Sequence, residues 1–154
     1  MIRKAIEKDI PKIGDLLEQV DLVHHNGRPD LFNIGKKYND KEVLELINND
    51  TTPILVWVDS DDNVWGYCFC CIQYTKGNSV LADVKTLYID DLCVDKSKRG
   101  LGIGKELYQS AKALAKDLGC YNLTLNVWEF EGSAKGFYQK QGLKTQKTVM
   151  EEIL

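Results

Sequence analysis

The sequence predicts an α/β (α+β) fold whose mixed, mostly antiparallel central sheet contains one parallel crossover and is flanked by about four helices. Three strand-like stretches follow one another in mid-chain, and a glycine-rich turn then leads into an amphipathic helix. After that helix an alternating stretch returns to the sheet, and a helical crossover makes the two strands parallel. The 154 residues, 44% hydrophobic and 28% charged, fit a single domain spanning 1–154.

The N-terminal part predicts two helices joined by a long loop. Asp9 is placed to cap the first helix, and Pro11 lies in its first turn. Apolar residues then recur at helical spacing: Ile10, Ile13, Leu16, Leu17, Val20 and Val23. Residues 24–38 have no clear period and predict a loop, which at this length often shapes a binding site. Asn39 or Asp40 caps a second, short helix that runs through Ile47.

The middle of the chain predicts three consecutive strands. Residues 54–58 and 64–74 form an antiparallel hairpin around a polar turn, and residues 82–94 form the third strand after a second turn. A helix over residues 103–118 ends at Gly119. The alternating residues 121–128 then give a strand parallel to the third one.

The C-terminal part predicts a short helix and a last strand. Ser133 caps a helix over residues 134–141, which Gly142 ends, and residues 143–154 return as a final extended segment.

Composition excludes several functional classes. The net charge of −3 gives no basic footprint for nucleic acid. The chain has no run of about 18 apolar residues and no apolar signal region at its start, so neither a membrane span nor secretion is expected, and the cytoplasm is the expected location. The five cysteines lie in apolar segments, where they are expected to be buried thiols. No second Cys or His cluster completes a metal site around Cys68, Cys70 and Cys71, so no metal is expected.

The stretch V-D-K-S-K-R-G-L-G-I-G-K-E-L, residues 94–107, predicts an anion site. Its three glycines at the foot of a helix let the backbone approach a ligand, and the unpaired amides of a first helical turn attract phosphate. Glu106 stands where a Walker loop needs Ser or Thr, and Lys105 and Leu107 stand where a dinucleotide fingerprint needs its third glycine. An ordinary strand-to-helix turn is the alternative, although one glycine would suffice for it.

Two motifs resemble those of the GNAT superfamily of acetyl-CoA-dependent N-acetyltransferases. The first is R-G-L-G-I-G at residues 99–104, which resembles the pyrophosphate loop of that family. The second is S-A-K-G-F-Y-Q-K-Q-G-L at residues 133–143, which is similar to the family signature A-x-x-F-Y-x-x-x-G-F. The order of the predicted elements follows the family over nearly the whole chain.

The resemblance implies a set of residues that bind acetyl-CoA. The end of the third strand would pair with the pantetheine arm, the loop amides would hold the pyrophosphate, and the second motif would pack beside the thiol. The set is Leu92, Cys93, Val94, Arg99, Gly100, Leu101, Gly102, Ile103, Gly104, Lys105, Glu131, Ala134, Phe137 and Tyr138. Glu131 departs from the pattern, since many relatives have Asn at that position.

The resemblance also implies catalytic residues. Tyr138 stands at the general-acid position, where a phenol can supply a proton to the leaving thiolate; a packed tyrosine without this role is the alternative. The attacking amine must lose a proton, and Asp90 and Asp91 are the candidate bases. Strand alternation allows only one of them to face the cleft; Asp90 is favoured, and a bulge would reverse the choice. Asn126 stands where some members carry a catalytic Glu, which leaves Asp90, Asp91, Glu129 or a water chain.

The predicted function is direct transfer of acetyl from acetyl-CoA to a primary amine in a ternary complex. Acidic residues near the expected cleft favour a small cationic amine such as a polyamine. A peptide N terminus, a lysine or a CoA-binding module with reduced catalysis are the alternatives. Acetylation of Cys93 as an intermediate is disfavoured because no neighbouring base is identifiable.

His24 and His25 are interpreted as a polar helix end or loop surface rather than as acceptor-binding groups. The open edges of a mixed sheet favour a homodimer.

Overall fold

The computed structural model describes residues 1–154 and contains five strands and four α-helices. The strands are β1 (Ile2–Lys4), β2 (Ile54–Val58), β3 (Val64–Thr75), β4 (Val84–Val94) and β5 (Asn122–Leu125). The helices are α1 (Ile10–Gly27), α2 (Asp40–Ile47), α3 (Ile103–Asp117) and α4 (Lys135–Lys140). Two 3-10 turns, Glu7–Asp9 and Lys96–Lys98, precede α1 and the glycine loop.

The sheet has the order β1-β2-β3-β4-β5, with every neighbouring pair antiparallel except the parallel pair β4 and β5. This confirms the predicted mixed α/β architecture. α1 and α2 cover one face through a cluster that includes Ile13, Leu16 and Tyr67, all fully buried. α3 and α4 cover the other face through a cluster that includes Leu87 and Leu107. Alternate residues of the strands therefore supply two apolar cores.

The first strand was not predicted from the sequence. β1 has three residues and adds to the edge of β2, and its Arg3 forms a bidentate ion pair with the buried Asp9 at 2.7 and 2.9 Å. Because its carboxylate is engaged there and by the amide of Ile6, Asp9 does not cap α1. Asn39, in contrast, caps α2 as expected, in a reciprocal pair with Glu42.

The C-terminal part differs more from the expectation. Residues 143–154 form neither helix nor strand, and Val149 and Met150 are exposed. The segment follows the cleft described below, and Glu151 pairs with Arg28 there. Residues 144–154 are all exposed, and a segment without a buried face has nothing to fix a strand register. The predicted last strand is therefore absent, and β5 remains at the edge of the sheet.

Two smaller differences bear on the cleft. α1 continues to Gly27, so that His24 and His25 are helical and the loop begins at Arg28. β5 ends at Leu125, three residues before the predicted end of that strand. None of the helices combines the length and the apolar character that a membrane crossing requires.

Candidate active site

The main cleft opens where β4 and β5 separate. Their ladder ends at the pair Ile89 and Leu125, although β4 continues to Val94. Residues 90–94 of β4 therefore have no partner on the β5 side, and their free backbone groups can pair with an extended ligand. The cleft has a volume of about 2150 Å³ and runs from the glycine loop, past α4, to the loop between α1 and α2.

The glycine loop forms an open cradle at one end of the cleft. Gly100 and Gly102 have φ values of 80° and 86°, a conformation that L residues avoid. A Cβ atom on either would meet nothing within 4 Å, so the space over the loop is free for a ligand. Gly102 is the N-cap of the 15-residue helix α3, whose first amides are free to bind an anion. Lys98, Arg99 and Lys105 belong to this end of the cleft, and Lys112 and Lys116 line it further along α3.

Asp95 fixes the approach to the glycine loop. Its carboxylate is buried and accepts hydrogen bonds from Lys12 at 2.8 Å and from the Ser97 amide at 3.0 Å. These donors hold the pKa of Asp95 well below its usual range, Lys12 being the largest cause. The end of β4 is thereby tied to α1 on one side and to the turn before the loop on the other.

α4 brings two aromatic residues against the glycine loop. The ring of Phe137 lies 3.5 Å from the position that a Cβ on Gly104 would occupy, so α4 packs directly against the start of α3. Tyr138 is buried, and its ring packs edge-on against those of Phe137 and Tyr108, with centroids 5.0 and 6.4 Å away. Burial raises the pKa of Tyr138 well above its usual value, so the phenol keeps its proton at any physiological pH.

A bulge in β4 changes the direction of the two aspartates. Asp91 pairs with Phe69, but the next residue of β3, Cys70, pairs with Ile89, so that Asp90 is an extra residue. Strict alternation would send Asp90 and Asp91 to opposite faces. With the extra residue, both carboxylates lie on the face covered by α1, where Asp90 contacts Tyr38 and Asp91 contacts Tyr67.

The two carboxylates have different partners. Asp91 accepts a 2.8 Å hydrogen bond from the Tyr67 hydroxyl, and burial raises the pKa of Asp91 to about 6, although that hydrogen bond opposes the shift. Asp90 accepts a 2.7 Å hydrogen bond from Tyr38 and forms a 2.9 Å ion pair with Lys37. Asp90 is thus neutralised by a cation, whereas Asp91 is held by a neutral phenol.

An aromatic wall bounds the cleft on the side of β5. Phe32 packs edge-on against Trp128 at 5.0 Å and lies 5.2 Å from His24. His24 is half-buried, and burial lowers the pKa of its imidazole. His25 instead lies with its Nδ1 2.6 Å from the carbonyl oxygen of Phe32. The sequence interpretation of His24 as a polar surface residue is therefore incomplete, since its ring also lines the cleft.

Most of the sequence-predicted site residues line the cleft, and two do not. Those that do are Asp90, Asp91, Leu92, Cys93, Val94, Arg99, Gly100, Gly102, Ile103, Gly104, Lys105, Ala134, Phe137 and Tyr138. The exceptions are Leu101, which is 67% exposed, and Glu131, which is also exposed. Asn126 donates a 3.2 Å hydrogen bond to the Tyr88 hydroxyl.

The cysteines are free thiols, three of them buried. Cys93 packs in the core under α1, where burial raises its pKa to about 12. A thiol with that pKa is almost entirely protonated at neutral pH and is a poor nucleophile. No group of three or more His, Cys, Asp or Glu side chains is arranged to hold a metal ion.

Sequence reasoning missed Lys37, Tyr38 and Tyr67, which surround the two aspartates. They come from the loop and from β3, and no motif joins them to residues 90 and 91. The length of the loop was the one available signal.

Comparison with known proteins gives the family. A profile of the Acetyltransferase (GNAT) family matches residues 21–143. Two curated relatives are a blasticidin-S acetyltransferase of Streptomyces morookaense, 36% identical over 64 residues, and a glucosamine 6-phosphate N-acetyltransferase of Trypanosoma brucei brucei, 30% identical over 78 residues. These matches cover 41% and 51% of this chain and about half of each relative, 46% and 48%.

Among solved structures, a tetramutant of the BH1408 protein from Bacillus halodurans is 30% identical, with a TM-score of 0.95 over 100% of this chain and 99% of that one. A glucosamine-6-phosphate N-acetyltransferase from Arabidopsis thaliana shares the fold at 22% identity, with a TM-score of 0.72 over 99% of this chain and 97% of that one. The family profile covers most of the chain, including the glycine loop, the bulge and α4. The chain therefore belongs to the Acetyltransferase (GNAT) family.

Proposed function

We propose that the chain transfers the acetyl group of acetyl-CoA to the primary amine of a small cationic molecule, by direct attack in a ternary complex. The observation that carries this proposal is the continuity of one cleft, which joins the glycine cradle, the buried phenol of Tyr138 and the two aspartates of the bulge. An anion site, a proton donor and a proton acceptor thus share one space. Direct attack needs all three there at once.

Acetyl-CoA supplies an activated acetyl group on a thioester. The cradle fits its pyrophosphate, because Gly100 and Gly102 leave open space beside the first amides of α3 and basic side chains surround them. The unpaired residues 90–94 of β4 suit the amides of its pantetheine arm. The role of Leu101 is then limited to its backbone, and Glu131 has no place in the proposed site.

Tyr138 is the proposed general acid. Its raised pKa keeps a hydrogen on the oxygen, which can be donated to the sulfur as the thiolate leaves. Dry surroundings also make sulfur more basic, as the pKa of about 12 for the Cys93 thiol illustrates. A leaving thiolate in such surroundings is therefore a stronger proton acceptor than it is in water, which offsets the weaker acidity of the buried phenol.

Asp91 is the proposed base, directly or through a water molecule. Its pKa near 6 leaves it ionised at neutral pH but closer in basicity to an amine than an ordinary aspartate is. Asp90 already binds the ammonium of Lys37 and the hydroxyl of Tyr38, so fewer of its lone pairs are free. The bulge thus favours Asp91 over the Asp90 that strand alternation favoured.

A cationic acceptor fits the charges of this region. Asp90 pairs with the ammonium of Lys37, Asp91 lies close enough for that charge to affect its pKa, and Asp21 accepts from the backbone amide of Lys37. Two relatives named for small-molecule acceptors, blasticidin S and glucosamine 6-phosphate, support a small amine over a protein. A polyamine remains our candidate acceptor, since it carries several cationic nitrogens.

A panel of amines tests the proposal. The purified protein is incubated with acetyl-CoA and, separately, with spermidine, an amino sugar, an aminoglycoside, a peptide with a free N terminus and a lysine peptide, and products are identified by mass. We expect the highest kcat/KM for a small cationic amine. A higher kcat/KM for one of the peptides would show that the acceptor is a peptide amine and not a small cationic amine. Failure to bind CoA at millimolar concentration in calorimetry would overturn the whole assignment.

A homodimer in the cytoplasm completes the proposal. β1 and β5 leave two open sheet edges that a second copy can cover. Light scattering of the purified protein gives the mass in solution, and a monomer at micromolar concentration would contradict this part alone.

A further inference from the structure

Lys37 places a primary amine against the aspartates of the bulge. Its ammonium lies 2.9 Å from Oδ1 of Asp90 and 3.2 Å from the backbone carbonyl oxygen of the same residue. It also lies 5.6 Å from the centre of the Tyr38 ring. Carboxylate, carbonyl oxygen and aromatic face are the groups that bind an alkylammonium ion in proteins.

The position of Lys37 is that of a tethered ligand rather than that of a core ion pair. The residue belongs to the loop between α1 and α2, and its side chain is 38% exposed. Its backbone amide is held by the carboxylate of Asp21, so the stem starts from a fixed point. Asp90 is the first unpaired residue of β4, at the end of the proposed pantetheine arm that is farther from the glycine loop and carries the thiol. The lysine therefore reaches the border between the two proposed substrates.

We propose that Lys37 is an internal acceptor, and that the protein acetylates this lysine when no other amine occupies the cleft. This inference rests on the proposed function, because it uses the same acetyl donor and the same aspartates. It adds a modification site on the chain itself. The tether replaces the binding of a free amine, which raises the effective concentration of the nucleophile.

The reaction is balanced without any further reagent. The ammonium of Lys37 loses a proton to Asp91 or to water, and the neutral nitrogen attacks the carbonyl carbon of the thioester. A carbon–nitrogen bond forms, the carbon–sulfur bond breaks, and the sulfur takes a proton from Tyr138. The nitrogen loses its second proton as the amide forms, and this proton restores the Tyr138 hydroxyl, so that one proton in total is released through Asp91 or water. The products are Nζ-acetyl-Lys37 and free CoA.

Acetylation would change the acceptor end of the cleft. The amide product has no charge, so Asp90 loses its ion pair and keeps its hydrogen bond from Tyr38. The loop between α1 and α2 then loses one of its ties to β4. The modified enzyme carries a bulkier, neutral group where a cationic acceptor would bind.

Peptide mapping by mass spectrometry tests the inference. The whole protein is incubated with acetyl-CoA and no amine, and the rate of acetylation is measured at Lys37 and at its neighbour Lys36, which pairs with Glu18 instead. We expect Lys37 to react at least about tenfold faster than Lys36. The Lys37→Arg variant should not be acetylated at residue 37, the Lys36→Arg variant should still be acetylated there, and Tyr138→Phe should lower the rate of that acetylation. Equal rates at both lysines would indicate chemical acetylation alone and overturn the inference.

Dilution separates an internal reaction from one between molecules. A first-order rate constant for Lys37 acetylation that does not change over a hundredfold range of protein concentration supports the tether, whereas one that falls with dilution overturns it.

Amide hydrogen exchange gives a readout that does not depend on turnover. Acetylated protein freed of CoA and the Lys37→Gln variant should both exchange faster across residues 28–39 than the untreated protein. Unchanged exchange in both would show that Lys37 does not hold this loop and would count against the proposal.

The amine panel distinguishes the two possible failures. If free amines are acetylated and Lys37 is not, the proposed function stands and this inference falls. If CoA does not bind, both fall together.

Discussion

The hydroxyl of Tyr67 donates a 2.8 Å hydrogen bond to the carboxylate of Asp91, across 24 residues of sequence. Tyr67 is fully buried on the face that carries α1, and it packs edge-on against Phe69, with their ring centroids 4.8 Å apart. The tyrosine fixes the direction of the carboxylate but brings no positive charge. Burial of Asp91 therefore raises its pKa to about 6, within the range in which enzymes are assayed.

Asp91→Asn should remove the acidic limb of the pH–rate profile. In the wild type, kcat/KM should fall as the pH is lowered through about 6, because the carboxylate becomes protonated there. The variant should be slower at neutral pH by roughly 10²-fold, the usual contribution of a general base. Asp90→Asn is the matched control and should keep the limb near 6. An unchanged profile in Asp91→Asn would remove this residue from the mechanism.

Asp91→Asn should also stabilise the protein above pH 6. The folded-state pKa of about 6 lies above the unfolded value of about 3.9, so the folded protein binds the extra proton between these values and its stability falls as the pH rises through them. Two pKa units correspond to roughly 3 kcal/mol, and solvent in the cleft reduces that figure. Denaturant unfolding at pH 4 and pH 8 measures the effect. The gain over the wild type should be larger at pH 8, and equal gains at both would contradict the assigned pKa.

Tyr138→Phe should lower kcat by roughly 10²-fold and leave the KM for acetyl-CoA nearly unchanged. The phenyl ring preserves the packing against Phe137 and Tyr108, so the loss isolates the hydroxyl. Tyr74→Phe, at an exposed position of β3, is the control and should behave as the wild type. Steady-state kinetics with both substrates varied provide the measurement. An unchanged kcat in Tyr138→Phe would show that the hydroxyl has no role in catalysis and that the ring serves only in packing.

Gly102→Ala should raise the KM for acetyl-CoA roughly tenfold, the equivalent of about one charge-assisted hydrogen bond. The φ of 86° is unfavourable for alanine, so the loop must shift and turn its amides away from the cradle. Gly77→Ala is a matched control, since Gly77 has a φ of 66° and equally open surroundings in a distant turn. Both variants should lose similar stability, and Gly102→Ala alone should bind CoA more weakly. Equal CoA affinity by calorimetry would exclude the loop from the site.

Local patterns predicted most of the fold. Helical spacing gave α1 and α3, and β2 coincides with the predicted residues 54–58, because one buried face imposes its period on each element. β1 was missed because three residues carry no period and are fixed by distant partners, Arg3 by Asp9 and Asp62. The alternating residues after Leu125 were predicted as strand, yet no neighbour pairs with them. Pairing between strands is a tertiary property that alternation alone does not contain.

The candidate site likewise has one part that the sequence predicted and another that depends on tertiary contacts. The glycine loop is a local motif, and Gly100, Gly102 and Gly104 marked it in the sequence as a place where the backbone can approach a ligand. The bulge at Asp90 was not, since it depends on the register between β3 and β4. Lys37 and Tyr67 reach Asp90 and Asp91 from more than 20 residues away. Contacts of this kind follow only from the folded chain.

The early separation of β5 from β4 places a limit on how far this protein can be thermostabilised. A sheet gains hydrogen bonds when its strands stay paired to their ends, and residues 90–94 of β4 forgo that gain on one side. Substitutions that extend the pairing of β5 with those residues would raise the melting temperature, and the extended strand would at the same time fill the cleft. Engineering for heat resistance should therefore reinforce β1 or α2 and leave this gap in the sheet unrepaired.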